Sequence, residues 1–155
     1  MGNHRPHQHL ILDAVINKAP KNEDDMKTLL SHIIREIGMR VADLSNGQPN
    51  PIAWYCKDEG NEGMTASAIL TTSHIVLHVW DNTQPGEIHF DLYSCSDFNP
   101  EKVVEILNRE FDIVGGFGHF IDRLTGDSKK FKLEPSDKES LVNQEIVNYA
   151  KKLSW

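Results

Sequence analysis

Between Thr65 and Tyr93 this chain carries three consecutive segments that read as strands, joined by turns too short to hold a helix. Thr65–Leu70 runs straight into Thr71–Trp80, "TTSHIVLHVW", and "DNTQPG" separates that from Glu87–Tyr93. Parallel neighbours need a crossover of about a dozen residues or more, usually a helix. These segments can therefore pair only antiparallel. Glu87–Tyr93 alternates without a break: Ile88, Phe90 and Leu92 fall on one side, Glu87, His89, Asp91 and Tyr93 on the other. That period of two predicts a half-buried strand, with one apolar and one polar face.

The flanking sequence supplies helices for the apolar face. Asn22 is a good N-cap, and the acids Glu23, Asp24 and Asp25 follow it where they meet the positive end of a helix dipole. Met26, Leu29, Leu30, Ile33, Ile34 and Ile37 then recur at the spacing of one helical face, and Gly38 stops the run. Asn99-Pro100-Glu101 opens a second helix, with Val103, Ile106, Leu107 and Phe111 as its buried side. Further strands are expected at His9–Ile16, at Ile52–Cys56 and over 112–123. A capping box, Ser136-x-x-Glu139, predicts a last helix over about 136–153. The expected fold class is α+β: a two-layer sandwich, mostly antiparallel sheet with helices packed on one face. At 155 residues the chain reads as a single domain, its core over about 8–124 and the last helix an addition.

Charge and hydropathy narrow the partners. A net charge of -7 argues against nucleic acid and anionic membrane surfaces, both of which want excess Lys and Arg. No apolar run approaches the roughly 20 residues that span a bilayer, and Met1–Pro6 is too polar for a secretory signal. A cytoplasmic protein is expected, with Cys56 and Cys95 as free thiols. His74 and His78 would suit a metal if they lay on a helix. On a strand, four residues separate them by roughly 13 Å, so no metal site is expected. Taken singly, the polar residues here have plain readings. A serine between strands is usually a turn residue, a half-buried histidine usually just hydrogen-bonded, and a lone cysteine a small hydrophobe.

Their order says more. "HLILDA", "GMTASAIL", "TTSHIVLHVW" and "IHFDLYSC" resemble the core of the bacterial and archaeal S-adenosylmethionine decarboxylases of the short, pyruvoyl-dependent type. The likeness runs from "HLILDA" to about Asp122 and leaves out the last helix. It implies a proenzyme that makes its own cofactor. Ser73 would attack the Thr72 carbonyl, the chain would part between Thr72 and Ser73, and Ser73 would become a pyruvoyl group. His78 matches the histidine that assists this processing, and Thr65 falls where the family has a Ser or Thr near the same centre. Cys95 matches the residue that returns a proton to the substrate carbon. Asp13 stands where the family has an acid on its first strand, and it is carried here with the substrate-binding residues. The implied activity is decarboxylation of the small molecule S-adenosylmethionine, giving the aminopropyl donor for spermidine. The implied assembly is a homodimer of cleaved two-chain protomers with active sites at the interface, and neither nucleic acid nor membrane as a partner.

The match departs at one place. The family continues past its histidine with x-aromatic-Pro-Glu, and that glutamate binds both ribose hydroxyls of the nucleoside. Here Trp80 is followed by Asp81-Asn82. Asn82 offers one acceptor oxygen and an amide donor in place of a carboxylate. Asp81 is adjacent and would serve if the loop shifted by one residue. Three readings stay open: the S-adenosylmethionine enzyme, a pyruvoyl decarboxylase of a basic amino acid such as arginine or ornithine, and a non-catalytic regulatory homologue. The joint presence of Ser73, His78 and Cys95 speaks against the third.

Overall fold

In a computed structural model, which describes residues 5–135, alternation of apolar residues builds one continuous sheet. His4 and the helix expected over 136–153 lie outside the described residues. The elements are β1 (Gln8–Ile16), α1 (Glu23–Glu36), β2 (Ile52–Cys56), β3 (Gly63–Leu70), β4 (Ser73–Trp80), β5 (Gly86–Ser94), α2 (Pro100–Phe111), β6 (Ile113–Asp122) and β7 (Ser128–Leu133). The seven strands lie in the order β2-β3-β4-β5-β1-β6-β7. Every neighbouring pair is antiparallel.

Every second residue of the central strands points to one side. Leu10, Leu12 and Ala14 of β1, Ile75, Leu77 and Val79 of β4, and Ile88, Phe90 and Leu92 of β5 are buried there. They form one cluster with Met26, Leu30, Ile33 and Ile34 of α1 and Val103, Ile106, Leu107 and Phe111 of α2. Both helices begin as their caps dictate. The Asn22 side chain accepts from the Asp25 N–H at 2.8 Å, and that of Asn99 accepts from the Glu101 N–H at 2.9 Å. The result is the expected α+β sandwich, with its helices on one face.

The opposite face carries no helix among the described residues. Register runs a single row across it: Trp54, Thr65, His78, His89, Asp13 and Phe117 stand opposite one another in successive strands. Ile52, Trp54, Ile69 and Phe117 lie on this face and are exposed, Trp54 to 63%.

Two segments differ from the sequence reading. Thr71 and Thr72 do not begin a strand but form the turn of the β3–β4 hairpin, with Leu70 paired to Ser73. The connection has two residues, which is all an antiparallel hairpin requires. The stretch after residue 124, which reads as polar, contains β7. Its Phe131 and Leu133 are buried while Lys130 and Lys132 face solvent, so the sheet runs to residue 133 rather than stopping near 124.

β6 can approach β1 closely because Gly116 has no side chain: a Cβ there would lie 2.2 Å from the Asp13 carbonyl oxygen. Gly116→Ala must therefore push β1 and β6 apart at Asp13. A loss of about 1–3 kcal/mol is expected, measured by urea unfolding. An unchanged midpoint would show that the two strands separate there without cost.

Candidate active site

The hairpin turn brings the first group of site residues together. Thr72 sits at φ 59°, in the left-handed region, where a β-branched side chain costs on the order of 1–3 kcal/mol. β4 and β5 pair with His74 opposite Tyr93, so the start of β4 meets the residues just beyond the end of β5. The Thr72 Oγ1 lies 2.6 Å from Cys95 Sγ. The Cys95 N–H donates to Ser73 Oγ at 3.2 Å, and Ser73 Oγ lies 3.9 Å from the sulfur. The Thr72 hydroxyl holds the Cys95 thiol below its ordinary range, against burial, which pushes it up; Ser73, Ser96 and Arg5 act with Thr72.

The second group lies mid-sheet on the open face. Thr65 and His78 are direct cross-strand partners, and Thr65 Oγ1 is 2.8 Å from His78 Nδ1. Burial pushes the His78 ring below its ordinary pKa, helped by the neighbouring His89 and opposed by Asp91. The next residue of the row, His89, has Nδ1 3.7 Å from Asp13 Oδ1. Asp13 thus faces a histidine, beside a cavity of about 240 Å³ that Glu87 and Phe117 also line. The Trp80 indole packs edge-on against His89, ring centres 4.7 Å apart.

The third group is at the far end of β4. Asp81 Oδ1 accepts from the Tyr55 hydroxyl at 3.1 Å, which raises the Tyr55 pKa. The Asn82 amide donates to Glu62 Oε2 at 3.2 Å. At about 3.3 Å per strand residue, Ser73 is roughly 16 Å from His78 and roughly 30 Å from Asn82. Ser73 and His78 also point to opposite faces, by the alternation of β4. One chain therefore joins Thr72, Ser73 and Cys95, and separately Thr65 and His78, but does not join these groups to each other or to Asp81 and Asn82.

A further network was missed. Asp91 Oδ1 accepts from His9 Nε2 at 2.9 Å and from His74 Nε2 at 3.0 Å. These hydrogen bonds outweigh burial and hold the Asp91 carboxyl below its ordinary range. The three ligand atoms lie within 4.8 Å of one another, close enough for a metal ion. However, Arg123 donates to His9 Nδ1 at 2.8 Å. That nitrogen must be the acceptor, so Nε2 carries the hydrogen. A metal-binding histidine does the reverse, offering one nitrogen and donating the other N–H to an acceptor. The trio is a hydrogen-bonded network that joins β1, β4, β5 and the turn after β6. Its signal in the sequence was polar residues at alternate positions of strands whose other face is apolar.

The family model described as S-adenosylmethionine decarboxylase matches residues 8–116. The S-adenosylmethionine decarboxylase proenzyme of Aeropyrum pernix is 28% identical over 88 residues, 56% of this chain and 58% of that protein. The chain thus spans little more than half of that relative's length. The crystal structure of the Trypanosoma brucei AdoMetDC-delta26 monomer aligns over 77% of this chain and 46% of the other, with a TM-score of 0.45 and 11% identity.

The depressed His78 pKa makes a signed prediction. The ring should titrate by NMR with a midpoint below 6.5, leaving it neutral and able to take a proton at neutral pH. Because the unfolded chain would then bind a proton before the folded one, stability should fall as pH drops through 6.5 toward the lower value. His78→Gln should flatten that part of the slope. A midpoint at or above 6.5 would remove the case for a neutral base.

Proposed function

The chain belongs to the S-adenosylmethionine decarboxylase family, and on that premise we propose that it is a self-processing, cytoplasmic decarboxylase whose pyruvoyl cofactor derives from Ser73. The observation that carries the reading is the turn itself: a strained Thr72 immediately before a serine whose hydroxyl is held by Cys95. Ser73 Oγ adds to the Thr72 carbonyl; the new C–O bond forms as the Thr72–Ser73 C–N bond breaks. Removal of the Ser73 α-proton then expels the Thr72 carboxylate. Hydrolysis of the remaining dehydroalanine releases ammonia and leaves the pyruvoyl group. That group, once present, supplies an electron sink for the bond to the departing carboxylate.

The chain's own residues do the rest. Strain at Thr72 favours breaking the bond that follows it. Neutral His78, oriented by Thr65, takes a proton during processing. Cys95 returns a proton to the substrate carbon, a role worth about 10²–10⁴-fold. Asp13, Asp81 and Asn82 bind substrate. The product is the aminopropyl donor for spermidine synthesis.

Roughly 16 Å between Ser73 and His78 on one chain supports a homodimer in which His78 of one copy serves Ser73 of the other. A second reading concerns substrate. Asp81 accepts from Tyr55 and the Asn82 amide donates to Glu62, so an amide rather than a carboxylate stands at the position of the family's ribose-binding glutamate. That favours a basic amino acid as the alternative substrate.

Intact mass separates these possibilities. The native chain should give fragments 1–72 and 73–155, and Ser73→Ala one uncut chain. His78→Ala alone should stay uncut, yet be cut when coexpressed with a tagged Ser73→Ala chain that lends its His78. If the mixture stays uncut, or His78→Ala cuts itself at the native rate, the shared site is wrong.

The purified protein should then be assayed with S-adenosylmethionine, arginine and ornithine. Asn82→Glu should raise activity on the first by about tenfold, the scale of one charge-assisted hydrogen bond. No change would favour the basic amino acids.

A further inference from the structure

We infer that Thr72 is a positioning residue for Cys95: its hydroxyl holds the sulfur in the uncut chain, and cleavage after Thr72 releases that hold. The second half rests on the proposed self-cleavage; the first does not.

The hydroxyl is placed where it can serve the sulfur in both protonation states. Thr72 Oγ1 lies 2.6 Å from Cys95 Sγ and 2.7 Å from the Thr71 carbonyl oxygen. When Cys95 is a thiol, S–H donates to Oγ1 and the hydroxyl hydrogen goes to the carbonyl. When it is a thiolate, the hydroxyl hydrogen turns to the sulfur, a stronger charge-assisted bond. Cys95 is only 9% exposed, so water is a poor substitute. Its other described partners are the Ser73 hydroxyl at 3.9 Å and Ser96, and the one charged group acting on it among the described residues is Arg5.

What keeps the hydroxyl there is chain continuity. Leu70 and Ser73 pin the turn from both sides, and Thr72 stays in the left-handed region because it is pinned. Breaking the Thr72–Ser73 bond removes one pin. Thr72 becomes a chain end, relaxes toward the extended backbone that β-branched residues prefer, and gains a carboxylate. Loss of the hydroxyl donor and arrival of a negative charge both favour the neutral thiol. A proton donor needs that form. Cleavage thus favours the protonated thiol at the moment the cofactor exists, where before it the Thr72 hydroxyl holds the sulfur by a hydrogen bond.

The test follows Cys95 by thiolate absorbance against pH, with Cys56→Ser removing the other thiol. In the uncuttable Ser73→Ala background, Thr72→Val should lower the thiolate fraction at a fixed pH by about tenfold, one pKa unit. Thr72→Ser should restore it, and Thr72→Ala serves as a second hydroxyl-free form should the valine variant fold poorly. Equal titration of the Thr, Ser and hydroxyl-free chains would overturn the positioning role. The cut protein with native Ser73 should titrate like the hydroxyl-free variants. If it titrates like uncut Thr72, the release is wrong. A native chain that never cuts would defeat the proposed function and with it the release. The variant series in the uncut chain would still decide the positioning role.

Discussion

The antiparallel register of β3, β4 and β5 is the constraint on which the rest depends. It is set by a two-residue turn at one end and by burial of Ile75, Leu77 and Val79 along the strand. Slipping β4 by one residue would drive His74, His78 and Trp80 into the helix-packed layer and expose three apolar side chains. The same register places Thr65 against His78 and the turn against Cys95. Packing energy therefore fixes the geometry of the candidate site indirectly. Thr65 and His78 contribute little to the core, and the core residues leave them one arrangement.

Much of this was legible in the amino-acid order. Alternation in Glu87–Tyr93 and capping at Asn22 and Asn99 are local signals, and local signals survive folding. The two failures are equally physical. Thr71 and Thr72 look like strand formers because β-branched residues favour extended backbone; nothing in the turn is Gly or Asn, which would have flagged it. β7 hid behind its lysines, since an edge strand needs apolar residues on only one side. The hidden strand and the misplaced turn each cost a boundary, not the fold.

The sequence names candidate site residues but not the distances between them. Ser73 and His78 are five positions apart and end up on opposite faces, whereas Thr72 and Cys95 are 23 apart and touch. Sequence proximity misleads on a strand, where every residue moves the chain onward by about 3.3 Å. The Arg123–His9–Asp91–His74 network was out of reach for the same reason, because it draws on β1, β4, β5 and the turn after β6. A histidine pair suggests a metal until the guanidinium behind one ring settles which nitrogen holds the hydrogen.

Strand β7 bears on how copies of the chain can meet. An open sheet can grow sideways, adding strands from a neighbour, or stack against another sheet. Sideways growth at this end would set Lys130 and Lys132 of one molecule beside the same lysines of the next, at the roughly 5 Å spacing of paired strands. Lys130 is also drawn over the Phe117 ring, 5.1 Å from its centre, so its charge sits at the border of the open face. The lysine strand therefore works as a stop. It works against lengthening the ribbon at this edge, and leaves the β2 edge and the broad histidine-rich surface as the places where a second sheet can settle.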